Sequence, residues 1–196
     1  DVKPDYVIAA FDLAGPTFRH EQFAQYKATR REMPEDLRDQ FPIVRQLIEA
    51  FGIPIYQSQG YEADDIIGSL TRQAEARGIQ TTIVSGDLDM LQLVTDQTHV
   101  MTTRGGVQMT VTYDPARIHE RYGLQADQMI DFKALKGDTT DNIPGIPGVG
   151  EKTAAKLLQE FGNLDSLYER IDEVAPEKLR LKVAEHREQV FTSRAL

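Results

Sequence analysis

Eight carboxylates stand in four short clusters along the chain: Asp12 alone, then Glu62, Asp64 and Asp65, then Asp87 and Asp89, then Asp138 and Asp141. Oxygen donors in such number select hard divalent cations, and acids crowded into one cleft raise one another's pKa unless cations compensate them. Two divalent ions would offset half of this charge. Mg2+ or Mn2+ keeps several of its waters, so some of the acids would act through water. A pair of such ions can activate a water and stabilise negative charge developing on oxygen. No histidine arrangement offers a side-chain nucleophile, and the absence of cysteine removes disulfides and thiolate metal sites.

Each cluster also has a plainer reading. Glu62, Asp64 and Asp65 precede Ile66, Ile67, Leu70 and Ala74 at helical spacing, and acids in a first helical turn are favoured by the macrodipole. Asp-Leu-Asp at 87–89 reads as a helix cap, Gly-Asp-Thr-Thr-Asp at 137–141 as an Asx turn, and Asp12 as a strand end. The occurrence of all four in one chain favours a common site.

The elements that must carry these acids follow from hydrophobic patterning. YVIAAFD (6–12) and TTIVSGD (81–87) are continuous apolar runs ending in Asp12 and Asp87, as expected of buried parallel strands. Ligands of open α/β sheets lie beyond the carboxyl ends of the strands, where both aspartates fall. Asp89 follows as the chain turns into a helix, and Asp138 and Asp141, three apart, would share a face of a helical turn. Leu37, Phe41, Val44, Leu47, Ile48 and Phe51 predict a helix closed by Gly52, with Pro42 kinking it or marking its true start. IPIYQ is a further strand, and the acidic helix from Glu62 runs to Gly78 as C-cap. HVMTT, Gly105-Gly106 and VQMTVTY predict a hairpin, and Asp114-Pro115 opens another helix. Alternating strands and helices up to about residue 100 predict an α/β sheet, followed after residue 114 by an almost wholly helical region.

Composition sets the outer bounds. The 196 residues are 40% hydrophobic with no run able to span a bilayer, enough for one full core and a small appendage. The start at Asp1 and the end in SRAL are expected of a piece of a longer polypeptide. Twenty-two basic against thirty-one acidic residues give a net charge of -9, which the four clusters nearly account for. Positive charge is concentrated instead at residues 19–31, where Arg19, Lys27, Arg30 and Arg31 face the single acid Glu21. The polar segment 14–35 lacks an apolar stripe and has Gly15, Pro16 and Pro34 at its margins, predicting a mobile excursion from the sheet. Lys27 and Arg30, three apart, share a helix face if that segment orders; they could stabilise charge on a phosphate or simply be a solvated basic face. The glycines of IPGVGEKTA allow close backbone approach to a phosphate and present amides at a helix start; a plain helix-helix turn would use them too.

Taken in order, FDLAGPTFRHE, YKATRREMPEDLR, GYEADDIIG, SGDLDMLQLV and GDTTDNIPGIPGVGEKTAAKLL closely resemble the 5′ nuclease (5′ to 3′ exonuclease) domains of bacterial DNA polymerase I, within the flap-endonuclease family. The resemblance covers essentially the whole chain. It implies a PIN-like α/β core with a mostly parallel sheet flanked by helices over residues 1–133, including a helical arch at about 14–35, and a helical DNA-binding region with a helix-hairpin-helix over 134–196. It implies two-metal phosphodiester hydrolysis with Mg2+ or Mn2+, and makes Asp12, Glu62, Asp64, Asp65, Asp87, Asp89, Asp138 and Asp141 metal ligands or their water-mediated supports. Phe18, Arg19, Tyr26, Lys27 and Arg30 would belong to the arch, with Lys27 and Arg30 close to the scissile phosphate. IPGVGEKTA resembles a hairpin that grips duplex backbone, often with a bound K+, through Gly148, Val149, Gly150, Lys152 and Thr153.

The implied partners are DNA with a 5′ flap or 5′ end, RNA primers on DNA and a covalently linked polymerase domain, in a bacterial cytoplasm at the nucleoid, with no membrane. Two departures stand out: the family's further aspartate, in an Asp-Gly-Asn-like stretch of a first strand, is not among these residues, and Leu88 stands where lysine is common. The competing expectations are a noncatalytic or inactive truncated DNA-binding fragment, and a metal-dependent phosphatase or RNA-directed nuclease. The basic segment and the hairpin argue against the last two.

Overall fold

The computed structural model describes residues 3–103 and 110–196. Strand β1 (Ala9–Ala10) is much shorter than the apolar run that contains it. Tyr6, Val7 and Ile8 are 80%, 47% and 45% exposed, so the expected buried strand is not formed there. The physical reason is one-sided pairing: among the described residues β1 bonds only to β2 (Ile55–Tyr56), in parallel, with Ala9 opposite Ile55.

Between these strands lie α1 (Phe18–Gln22), α2 (Glu35–Arg38) and α3 (Phe41–Ala50). The periodicity over 37–51 is thus divided between two helices, and Pro42 sits in the first turn of α3, where its missing amide costs nothing. Gly52 follows that helix at φ 70°, a left-handed position suited to glycine.

Helix α4 (Ala63–Glu75) begins at Glu62, whose side chain accepts from the third helical amide while Asp65 accepts from the Glu62 amide at 2.8 Å. It ends three residues before Gly78, which closes the turn at φ 70°, with its amide on Glu75 O and the Ile79 amide on Ala74 O. The helix lies against both β1 and β3 (Thr81–Val84), and so joins two separate sheets. The second sheet continues with β4 (Thr98–Thr103), parallel to β3, and β5 (Thr110–Tyr113), antiparallel to β4. The predicted hairpin therefore exists; its turn at Gly105-Gly106 lies outside the described residues. Side chains of β3 alternate as pleating requires, with Ile83 buried and Val84 exposed.

The remainder is helical: α5 (Pro115–Tyr122), α6 (Met129–Lys136), α7 (Glu151–Phe161), α8 (Leu164–Glu169), α9 (Glu177–Glu185) and α10 (Arg187–Ala195). Asp114 caps α5 by accepting from the Arg117 amide at 2.7 Å, with Pro115 at the first position as its sequence predicts. Helix α6 is the centre of this half, buried by Phe132, Ala134 and Leu135 and packed on α7 and α10. One core runs from Leu91 and Val100 of the sheet side to Leu135, Leu158 and Leu164 of the helices, each fully shielded. Each such leucine contributes about 1.5–3 kcal/mol through burial.

The loop after α6 folds back on that helix unusually closely. A Cβ on Gly145 would lie 2.2 Å from the Lys136 carbonyl carbon and oxygen, and the Ile146 amide donates to Leu135 O at 2.9 Å. Only glycine permits this approach.

Candidate active site

The four acidic clusters meet. Asp12, just beyond β1, accepts from the Ala63 amide at 2.7 Å and so joins the first cluster to the start of α4. Asp87 follows β3 and caps a 3-10 turn (Leu88–Leu93) by accepting from the Asp89 amide at 2.9 Å. Lys133 of α6 then donates to both Asp89 and Asp138, and Lys27 bridges Glu62 at 2.7 Å to Asp141 at 3.7 Å. The clusters are therefore linked in series, Asp12 to the 62–65 cluster through a backbone amide, that cluster to Asp141 through Lys27, and Asp138 to Asp89 through Lys133.

Asp138 and Asp141 do not share a helical face, contrary to the spacing argument. They occupy a tight turn closed by a two-way bridge, in which the Asp138 amide donates to Ile143 O and the Ile143 amide to Asp138 O, both at 2.8 Å. Asp138 Oδ1 accepts from the Thr140 amide at 2.7 Å, the Asx geometry that was the plainer reading of this motif. A three-residue separation fits such a turn as well as it fits a helix.

The basic segment also differs from expectation. Lys27 and Arg30 are not on a helix: Lys27 takes left-handed backbone at φ 55° within a run of turns. Nor does the segment lack anchors; they are polar rather than apolar. Arg19 clamps Asp65 with two hydrogen bonds of 2.8 Å, while the Tyr26 hydroxyl donates to Glu62 at 2.8 Å and to Asp141 at 3.3 Å. Tyr26 is only 4% exposed, so this docking excludes water from the acids it touches. Arg30 reaches Asp141 at 3.9 Å from a largely exposed position, and Phe18 packs on Tyr61 with Arg19 stacked over it at 4.5 Å.

Electrostatics separate the acids into compensated and uncompensated groups. Burial pushes Asp64 up to about 6, reinforced by Asp87 and Asp12. Burial likewise raises Asp89 to about 6, with Lys133 opposing and Asp87 and Asp138 adding to the rise. For Asp65 and Asp138 burial acts upward too, but the Arg19 guanidinium and the Lys133 ammonium respectively, helped by backbone amides, hold them below the usual carboxylate range. Asp141 Oδ1 is buried with no hydrogen-bond partner.

A divalent cation fits the donor chemistry: the four clusters offer only oxygen donors, Asp64 is crowded by Asp87 and Asp12, and Asp141 Oδ1 is buried without a hydrogen-bond partner. Among the described residues no group of three acids or histidines is arranged to hold an ion as the side chains stand. Lysine and arginine occupy the shared positions instead. Lys133 was not evident in the sequence, since its partners are 44 residues before it and 5 after it. The one available signal was a lysine in the last helical turn before Gly137-Asp138. Leu88, at the position where lysine is common in the family, packs partly buried against the core.

On the far side of the same loop lies the glycine hairpin. Val149 is buried at 4% exposure, Gly148 takes φ 82°, and Gly150 precedes α7 with no side chain capping that end. The first-turn residues Glu151, Lys152 and Thr153 thus present their amides outward from a helix of eleven residues. Gly148 is required by its backbone; Gly150, with extended φ and nothing within 4 Å of an added Cβ, keeps only the benefit of small size.

An α/β half ending in acids and a helical half carrying a glycine hairpin define a recognised class. The chain belongs to the 5′-3′ exonuclease family: its N-terminal resolvase-like domain matches residues 1–123 and its C-terminal SAM fold residues 124–196. Over 196 residues, all of this chain, it is 46% identical to DNA polymerase I of Bacillus subtilis, of which it covers 22%. It is 47% identical over 199 residues to DNA polymerase I of Chloroflexus aurantiacus, again over the whole chain and 21% of that protein. The chain thus spans about a fifth of the length of these relatives. Its fold matches T5 5′-exonuclease with bound divalent metal ions (zinc) at a TM-score of 0.82 and 23% identity, covering 97% of this chain and 73% of the other. The catalytic core of Rad2 in complex with DNA substrate matches at 0.59 and 20% identity, over 95% and 62%. Among the described residues no helix is long and apolar enough to cross a membrane.

Proposed function

We propose that this chain is the 5′ nuclease part of a DNA polymerase I, hydrolysing phosphodiester bonds at 5′ flaps and 5′ ends of DNA and removing RNA primers. The observation that carries the reading is the convergence of four acidic clusters on one site, linked in series by the Ala63 amide, Lys27 and Lys133. Asp12, Asp64 and Asp87 on one side, and Asp89, Asp138 and Asp141 on the other, would hold two Mg2+ or Mn2+ ions, with Glu62 and Asp65 supporting them from the start of α4. When bound, such ions supply an activated water and stabilise charge on the phosphoryl oxygens.

The chain's own residues do the rest. Arg19, through its paired bonds to Asp65, holds the basic segment over the acids. Lys27 lies beside Tyr26 and between Glu62 and Asp141, where an ammonium relieved of its carboxylates can reach the nonbridging oxygens of a phosphate. Arg30, more exposed, meets the same phosphate from the solvent side. The amides at 148–153 grip duplex backbone without reading its sequence, since phosphates carry no base identity. A K+ ion at the hairpin belongs to the same reading.

The test is cleavage of a 5′-flap substrate by the complete polypeptide in Mg2+, comparing wild type with Asp87→Ala and Asp138→Ala. Loss of cleavage with retained duplex binding is expected. Full activity in either variant would overturn the assignment.

A further inference from the structure

Three side chains of the last two helices hold the hairpin loop. Ser193 of α10 donates to Pro144 O at 2.8 Å, Gln189 of α10 donates to Gly145 O at 2.9 Å, and Lys182 of α9 donates to Pro147 O at 2.9 Å. With these carbonyls engaged, the acceptors of the loop are occupied, and its outer rim is left to the amides at the start of α7. The first two tethers are neutral and buried or half-buried. Lys182 differs in carrying a charge: it bonds to a carbonyl, and among the described residues no carboxylate pairs with it. Its Nζ lies 3.0 Å from where a Cβ of Gly148 would stand, so the ammonium sits beside the glycine turn that leads into α7. An ammonium has three donors, and the Pro147 carbonyl uses one.

We propose that Lys182 is a phosphate-binding residue of the hairpin, aimed by the Pro147 carbonyl and supplying the positive charge that the loop itself lacks. Lys152 adds a second cation in the first turn of α7. A long side chain on a solvated helix would ordinarily lose affinity to its own conformational freedom. Fixing one of its donors in advance removes part of that cost. Gln189 and Ser193 are positioning residues on the same account, because they shape the loop without contributing charge.

This inference rests on the hairpin being a duplex-binding element, and the experiment separates the two. Binding of a fluorescein-labelled duplex with a 5′ flap is measured in Ca2+ over a series of salt concentrations. The proteins compared are wild type, Lys182→Met, Lys182→Arg and Ser193→Ala, each first shown to keep its thermal midpoint. Lys182→Met is expected to weaken binding several-fold and to reduce the log-log salt slope by about one, the signature of one lost phosphate contact. Lys182→Arg should restore the slope, whereas Ser193→Ala should weaken binding with the slope unchanged. A Lys182→Met line parallel to wild type would show that Lys182 only braces the loop and would overturn the proposal. Wild-type binding with no salt dependence would instead remove the duplex-binding reading of the hairpin, and the role of Lys182 with it.

Discussion

Lys27 and Asn142 secure each other's segments. Both take left-handed backbone, at φ 55° and 56°; the Lys27 amide donates to Asp141 O at 2.9 Å, and the Asn142 side chain returns a bond of 2.6 Å to Gln25 O. The basic segment is thereby locked to the acid pair by main-chain as well as side-chain contacts.

From this follows a graded series. Asn142→Gly keeps the left-handed backbone but loses the amide, and should loosen residues 25–30 by ~1 kcal/mol, the worth of one hydrogen bond. Asn142→Ala adds the cost of placing a Cβ in that conformation, roughly a further 1 kcal/mol. Hydrogen exchange at the Lys27 amide should therefore rise in the order wild type, glycine, alanine. Equal exchange in the two variants would show that backbone conformation at residue 142 plays no part.

Lys133→Met should expose how the acids are compensated. Removing the ammonium leaves Asp89 and Asp138 facing each other at low exposure, at a cost of about 2 kcal/mol for this partly buried arrangement. If divalent ions bind among these acids, adding Mg2+ should raise the thermal midpoint of the variant more than that of wild type. Equal shifts in both would mean that Lys133 and the cation do not compete.

Asp131 lies outside the four acidic clusters and should matter to stability alone. It is 4% exposed, accepts from the Leu164 amide at 2.9 Å and pairs with Arg194 at 3.0 Å. Asp131→Ala would leave the buried Leu164 amide without its acceptor while Arg194 keeps Asp165 at 2.7 Å, and should destabilise the chain by about 2 kcal/mol in denaturant unfolding. A change within experimental error would mean that water replaces the carboxylate freely.

Glu75 supplies a pH-dependent contribution. Hydrogen bonds from Thr95 and then Thr98 hold its carboxyl below the usual value of 4.5. Because the folded-state pKa is lowered, this stabilisation is present above pH 4.5 and is lost as pH falls through the lower folded value. Glu75→Gln, with weaker neutral hydrogen bonds, should be less stable than wild type at pH 7, and the gap should close at acid pH. A gap that stays constant from pH 7 to pH 3 would sink the argument.

Local features were legible in the sequence wherever one residue decides the outcome. Pro42 marked a helix start, Asp114-Pro115 a cap, and Glu62 the head of α4, since each acts through its own backbone or the next turn. Pairwise geometry was not legible. The three-residue step from Asp138 to Asp141 fits helix and Asx turn alike, and the bridge to Ile143 decided it. The YVIAAFD run predicted burial, yet burial requires neighbours on both sides, and β1 has one among the described residues. The basic segment looked unanchored because only apolar anchors were sought, whereas Arg19, Tyr26 and Lys27 dock through long-range polar contacts that periodicity cannot register.

The contact between Gly145 and the Lys136 backbone has a mechanical consequence. With no room for even a methyl group between them, and with Ile146 bonded to Leu135, the loop between Asp138 and Gly150 is pinned at its middle to the end of α6. On the proposed function, this makes the stretch a caliper. One jaw is the acid pair where the bond is cut, and the other is the hairpin that holds the duplex. Their separation belongs to the protein, so the distance from junction to cut is set by one loop's covalent length rather than by the nucleotides between them.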